Sequence, residues 1–313
     1  MPVFHKSHTL SRARTDQADV GRYLRSLATG FREVFTDLAA LTKFRLSATV
    51  VLSAVLAYLI AAPAIVWGQL AAVFFGGFAT TMAANVLNQV IEREHDQLMT
   101  RTENRPLATG RMSVSRAVLI AGLLSVIGTL TLATLHPVAA LLGMVALLSY
   151  AFIYTPLKRI SVAAVFVGTI PGAIPALIGT VAAEGDLTSL GWSLFLIQVI
   201  WQVPHFWAIG WLGFDDYKRA GFKLMPETAD GKRDPGTGLQ SMVYGLMLAA
   251  LVWWPYALGA FSVLATALST LIGIGYAWYG LRLYLRRDRT AALGLMFYSL
   301  AYLPAVFASG WLL

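Results

Sequence analysis

The chain has 313 residues, 57% of them hydrophobic and 13% charged, and its mean hydropathy of +0.65 is far above that of a soluble domain, so lipid is its main solvent. It contains no cysteine, which excludes disulfides, thiolate metal sites and cysteine nucleophiles. A formal charge of +8 would suit a nucleic-acid partner, but the basic residues fall in the connections between apolar runs, so no nucleic acid is expected.

Residues 1–43 are polar and basic and have no apolar core of signal-peptide type; Asp16 and Asp19 are uncommon in a mitochondrial transit peptide. They read as a cytoplasmic N-terminal arm, with 20–41 either an amphipathic helix lying on anionic membrane lipid or a disordered tail. Apolar runs long enough to cross a bilayer then recur at 44–62, 69–91, 114–135, 138–154, 162–183, 190–212, 239–258, 261–284 and 291–312. They are too long for the alternating strands of a β-barrel. The expectation is an all-α polytopic membrane protein, with nine transmembrane helices around a central cavity forming one domain over 44–313. Pro171, Pro175, Pro204, Pro255 and Pro304 fall inside these runs, where kinks are expected and neighbouring helices re-satisfy the freed carbonyls.

The basic residues orient the chain. Eight Lys and Arg precede the first run through Arg45, five follow the second, two the fourth, five the sixth and four the eighth, which accounts for all 24. The alternate connections, around Pro63, His136, Glu184 and Gly259, carry none, so the N-terminus is expected in the cytoplasm and the C-terminus outside.

At the end of the second run Asn88, Glu92 and Asp96 recur every four residues and share one stripe of a helix leaving the membrane. Two like-charged carboxylates on one stripe call for a cation, and hard oxygen donors of this kind suit Mg²⁺, which takes one or two carboxylates and leaves its other positions to water and phosphate. The plainer reading is a solvated helix end whose acids pair with Arg93 and Arg101. The following loop carries Arg101, Asn104, Arg105, Pro106 and Arg111, and guanidinium groups match phosphate oxygens. Acids, a hard metal and arginines together make a diphosphate site; lipid-headgroup anchoring is the alternative role for those arginines.

A second polar cluster ends the sixth run on the same side: Trp201, Gln202, Pro204, His205, Phe206, then Asp215, Asp216, Tyr217, Lys218 and Arg219. His205 sits where an imidazole is costly unless partnered; it is either functional or a structural residue bonded to a carbonyl opened by Pro204.

Asn88-x-x-x-Glu92-x-x-x-Asp96 followed by Met99-x-Arg101-Thr-x-x-Arg105-Pro106-Leu resembles the first signature of the UbiA-type intramembrane prenyltransferases. Tyr154-Thr-Pro-Leu-Lys158-Arg159, Gly172-Ala-x-Pro175, Trp201-Gln-x-Pro-His205-Phe206, Asp216-Tyr217 and Met225-Pro226 are similar to the haem-farnesylating branch of that superfamily. The resemblance implies transfer of a farnesyl group from farnesyl diphosphate to a vinyl group of haem b. It assigns Mg²⁺ to Asn88, Glu92, Asp96 and Asp216, and diphosphate to Arg101, Arg105, Lys158 and Arg159, with Asp215 and Tyr217 completing the catalytic set. Glu92 stands where many members carry Asp, and Pro204-His205-Phe206 stands where the second signature has a further Asp. His205 is therefore assigned to the haem, as iron ligand or propionate partner, with the flat faces of Trp201, Phe206 and Trp207 around it. The resemblance also implies the bacterial cytoplasmic membrane rather than the mitochondrial inner membrane, and a downstream haem-modifying enzyme or terminal oxidase assembly as the receiver. A sister enzyme acting on a quinone precursor or another aromatic acceptor is the nearest rival, and a non-catalytic haem-handling or transport protein the next; transport sites tend to lie near the midplane, not at helix ends.

The charge asymmetry makes a direct prediction. Reporter fusions after Ala62, Ala183 and Leu313 should report the outer side and fusions after Arg111 and Lys232 the cytoplasm; outer-side activity at either of the latter two would overturn the orientation.

Overall fold

The computed structural model describes residues 32–313. Residues 32–41 form a helix, α1, so the arm is helical over this part, and the remainder of the expected arm helix lies outside the described residues. Then follow α2 (Phe44–Ala61), α3 (Trp67–Asp96), α4 (Val114–Ala133), α5 (Pro137–Leu157), α6 (Ala164–Glu184) and α7 (Ser189–Leu212). A short α8 (Phe214–Arg219) precedes α9 (Gly236–Ala257), α10 (Val263–Arg286) and α11 (Arg289–Leu312). Among the described residues nine helices are long and apolar enough to cross a membrane. The protein is a multi-pass membrane protein of the expected all-α class.

Consecutive spanning helices pack side by side and α11 returns to α2, so the nine form a closed ring. The helix most enclosed by its neighbours is α6, held between α2, α5 and α7. Small residues permit the close approaches: a Cβ on Gly179 of α6 would lie 2.1 Å from the Ala54 carbonyl oxygen of α2, and one on Gly245 of α9 2.4 Å from the Ala277 nitrogen of α10. Such contacts replace the hydrophobic drive that lipid cannot supply between apolar helices. Outward faces carry exposed Leu, Val, Phe and Trp, as a lipid solvent demands.

Two elements depart from the sequence expectation. The second helix runs 30 residues, about 45 Å at 1.5 Å per residue, and so projects well past a ~30 Å hydrocarbon core, carrying the acidic stripe with it. The fourth contains a π-helical turn, Ser149–Tyr154, just ahead of Pro156, and continues to Leu157. Pro171, Pro175, Pro204 and Pro304 sit inside unbroken helices, whereas Pro255 lies in a short separate turn, Trp253–Ala257, that finishes α9.

Candidate active site

The acidic stripe is buried. Asn88, Glu92 and Asp96 are 0%, 4% and 1% exposed, and each meets a cation supplied by a different part of the chain. Lys43 Nζ donates to Asn88 Oδ1 (2.6 Å), Lys158 Nζ pairs with Glu92 Oε1, and one Arg105 guanidinium nitrogen reaches both Asp96 oxygens (2.8 and 2.7 Å). Asn88 Nδ2 donates to Glu92 Oε2 (2.9 Å) and to Thr155 Oγ1 (3.0 Å), and Thr155 donates onward to the Tyr150 carbonyl (2.8 Å). An ammonium can only donate, so the Asn88 amide orientation is fixed by Lys43. The acids are therefore not a solvated helix end paired with Arg93 and Arg101: Arg93 reaches Glu94 (3.3 Å), and Arg101 turns towards Tyr217.

Local backbone devices hold the cations. Lys43 sits between α1 and α2 at φ 47°, ψ 52°, a left-handed conformation that costs a non-glycine residue about 1–2 kcal/mol. Ser47 Oγ donates to the Thr42 carbonyl (2.9 Å), and Gln89 Nε2 donates to the Ala40 and Leu41 carbonyls (2.9 and 2.6 Å), which fixes this corner on α3. Burial, with Arg105 nearby, pulls the Lys43 ammonium down to about 7. Lys158 is set by the π turn of α5, whose extra residue re-aims the chain so that Tyr150, Tyr154 and Lys158 all line one cavity. Its ammonium lies 4.9 Å from the Tyr154 ring centre and 5.3 Å from that of Phe222. Gly168 leaves room for the Tyr154 ring, since a Cβ there would come within 2.6 Å of it.

The cavity has a volume of about 1430 Å³ and is lined mainly by α2, α3, α5, α6, α7 and α11. Lys43, Asn88, Glu92, Asp96, Arg101, Arg105, Lys158, Asp216 and Tyr217 surround its charged end, and apolar side chains with Gln198, Gln202 and His205 line its body. Arg101 approaches the Tyr217 hydroxyl at 3.5 Å, and burial pushes that hydroxyl above its ordinary range. Asp216 lines the cavity while pairing with Arg219.

Three expected residues are not brought in. Asp215 is 77% exposed and pairs with Arg233 (2.7 Å), because neighbours on a helix point about 100° apart and Asp216 takes the inward position. Arg159 is exposed for the same reason, one residue after Lys158. Trp207 is buried edge-on against Phe166 (5.9 Å) and does not line the cavity. Lys43 and Thr155 were missed. Lys43 belongs to the basic residues that the topology places at the acidic end, and Thr155 lies inside the Tyr154 to Arg159 motif.

His205 lines the cavity, stacked on Trp201 (5.3 Å between centres, 14° between planes), with the Phe206 ring tilted 6.2 Å away. Ser299 Oγ donates to the Met296 carbonyl (2.6 Å), so it must accept from His205 Nδ1 (2.7 Å). The imidazole is thereby held as the Nδ1–H tautomer with a lone pair on Nε2. Pro204 supplies no carbonyl partner: the bond that holds His205 comes from α11.

For a metal, two carboxylates and an amide oxygen one helical turn apart are a hard donor set that fits Mg²⁺. Among the described residues no three His, Asp or Glu side chains converge, so phosphate oxygens and water would have to complete such a site.

The UbiA prenyltransferase family matches residues 50–301. The chain belongs to the UbiA prenyltransferase family. It is 43% identical over 271 residues to the Protoheme IX farnesyltransferase of Cytophaga hutchinsonii (85% of this chain, 93% of that protein). It is 40% identical over 274 residues to that of Christiangramia forsetii (86% and 90%). Its fold is similar to that of digeranylgeranylglyceryl phosphate synthase, with a TM-score of 0.73, 17% identity and coverage of 90% of this chain and 100% of the other. The structure of a UbiA homologue from Archaeoglobus fulgidus bound to DMAPP and Mg²⁺ gives 0.63 at 15% identity, covering 88% and 100%. The protein is thus an enzyme, a UbiA-type prenyltransferase.

The buried pairs make the site sensitive to single losses. Arg105→Met should destabilise the protein by about 3 kcal/mol, since a buried carboxylate left unpaired costs that much, and adding Asp96→Asn should recover most of the loss. Unfolding in detergent measures both; an additive double variant would contradict the pairing.

Proposed function

We propose that this prenyltransferase transfers the farnesyl group of farnesyl diphosphate to a vinyl group of haem b, giving haem O, in the bacterial cytoplasmic membrane. The observation that carries the reading is a charged pocket opening directly into an apolar cavity walled by an imidazole whose Nε2 has no partner among the described residues. A diphosphate head, a long apolar tail and an iron porphyrin match those three parts, and the names of the relatives point the same way. A quinone precursor needs no such imidazole.

Asn88, Glu92 and Asp96 supply the donors for Mg²⁺, with Asp216 as the candidate for a second ion; bound there, the metal neutralises charge that develops on the diphosphate as its C–O bond breaks. Lys158 and Arg105 neutralise the acids before substrate arrives, and Lys43 holds Asn88 beside them. A metal held by these acids would draw them off Lys158 and Arg105, whose charges would then be available to the diphosphate oxygens together with those of Lys43 and Arg101 at the same end. Tyr150 and Tyr154 wall the space in which the allylic cation forms and keep water from it. The vinyl group then attacks the cation, and water supplies the hydroxyl. His205 holds the acceptor through iron or a propionate, and Trp201 and Phe206 lie against the macrocycle. Arg159 and Asp215, which face away, have no part in it.

The purified protein in lipid, given haem b, farnesyl diphosphate and Mg²⁺, should yield a pigment heavier by one farnesyl and one hydroxyl group. Glu92→Gln and Asp96→Asn should each lower turnover by at least about 3 kcal/mol, roughly 150-fold, with the protein still folded. Retained Mg²⁺-dependent turnover in both would remove the metal role.

His205→Ala should weaken haem b in an absorbance titration and leave binding of a non-hydrolysable farnesyl diphosphate analogue nearly unchanged. Equal loss of both ligands would make His205 a structural residue.

A further inference from the structure

Beyond the charged end, two glutamines one turn apart on α7 line the cavity, and neither has a part in the chemistry above. Gln198 and Gln202 are 3% and 6% exposed. Counting back from Leu212, Gln202 lies about 15 Å inside the helix end, within the membrane-spanning part.

Each amide nitrogen makes two hydrogen bonds. Gln198 Nε2 donates to Ser53 Oγ (3.1 Å) and to the Gly172 carbonyl (2.8 Å); Gln202 Nε2 donates to the Thr169 carbonyl (3.0 Å) and the Gln198 carbonyl (2.9 Å). Backbone carbonyls can only accept, so both amide orientations are fixed. All four N–H donors are consumed, and no donor among the described residues reaches Oε1 of either side chain. Gly172 makes the space: a Cβ there would lie 1.9 Å from Gln202 Oε1. Gln198 Oε1 is sealed inside the protein, whereas Gln202 Oε1 keeps contact with the cavity, so Gln202 Oε1 is the acceptor that a ligand can reach; a carbonyl in so apolar a cavity is costly without a donor and calls for one from a ligand.

The ligand must carry an O–H or N–H. A farnesyl chain has none, and an ionised propionate is an acceptor that an amide oxygen repels. Water qualifies, and water in an apolar cavity stays only where polar partners hold it. The proposed reaction also needs an oxygen that neither substrate supplies. Resting on that reading, we infer that Gln202, backed by Gln198, positions the water whose oxygen becomes the hydroxyl group of the product.

The electron count closes without an oxidant. The vinyl π pair forms the C–C bond to the farnesyl carbon that lost diphosphate, and the positive charge moves to the carbon beside the macrocycle. Water gives one O–H to Gln202 Oε1 and directs a lone pair at that carbon, the C–O bond forms, and the released proton passes to the departed diphosphate. Without an ordered water, the same cation loses a proton from carbon and leaves an alkene one water lighter.

Two variants test this on the full protein in lipid: Gln202→Met, which removes the acceptor, and Gly172→Ala, which keeps every polar group but displaces the carbonyl. Both should still release diphosphate in the presence of haem b, while the ratio of hydroxylated to alkene pigment falls about fivefold or more, the effect of losing one hydrogen bond. An unchanged ratio in both variants overturns the inference, and so does a parallel loss of both pigments with diphosphate release. If the wild-type protein makes no farnesylated pigment at all, the proposed reaction has failed, and a high-resolution density map of the wild-type protein then decides this site separately. A water within hydrogen-bonding distance of Gln202 Oε1 supports it; lipid or empty density there overturns it.

Discussion

Everything at the charged end depends on the cost of holding two carboxylates out of water. Glu92 and Asp96 are almost wholly buried, and an unpaired charge there would destabilise the helix end. The chain answers with one cation for each acid, from the end of α5 and the loop after α3, and sets a third, from the corner before α2, on Asn88 beside them. Buried pairs of this kind add little net stability, because desolvation offsets the Coulomb gain. Their value is positional: they tie three elements to one face of α3 and keep fixed positive charge at that end of the cavity, where the proposed reaction sets its diphosphate.

Two further features aim side chains inward. The π turn lets α5 keep its apolar outer face while Tyr150, Tyr154 and Lys158 reach the cavity, and Thr155 at its end supports Asn88. On α6 the missing Cβ atoms of Gly168 and Gly172 are filled by the Tyr154 ring and the Gln202 carbonyl. The enclosed helix of the ring thus serves as the smooth wall against which site residues from both neighbours are set.

Much of this was legible in the sequence because the membrane simplifies the code. Runs of apolar residues longer than 17 can only be helices, so nine elements and their order could be read directly. The four-residue spacing of Asn88, Glu92 and Asp96 was readable because a straight helix preserves it. What failed was pairing and azimuth. No local signal says that Lys43, 45 residues before Asn88, closes onto it, since that contact is made by a strained corner and not by periodicity. Asp215 and Asp216, or Lys158 and Arg159, are equivalent as letters, and only the direction of a short helix or a π turn decides which of each pair faces the cavity. His205 lines the cavity, but its partner came from α11, more than 90 residues away, and not from a carbonyl opened by the neighbouring proline.

The two halves of the cavity obey different electrostatic rules, and that difference separates their tasks. Ions are confined to the end where helices leave the membrane, where water and mutual pairing limit the cost of charge. Deeper in, four neutral polar groups are tied by their donors to a backbone carbonyl or a hydroxyl: His205 through Ser299, Trp201 through the Ser299 carbonyl, Gln198 and Gln202 through α6. In each of these except Trp201 the donors are spent inside the protein and a lone pair is left over. A wall that offers lone pairs but no net charge cannot hold a diphosphate, and an end crowded with ions cannot solvate a porphyrin or an isoprenoid chain. On the proposed reading this division orients the donor substrate before any specific contact is counted, with its leaving group at the ionic end and its carbon skeleton against the neutral wall beside the acceptor.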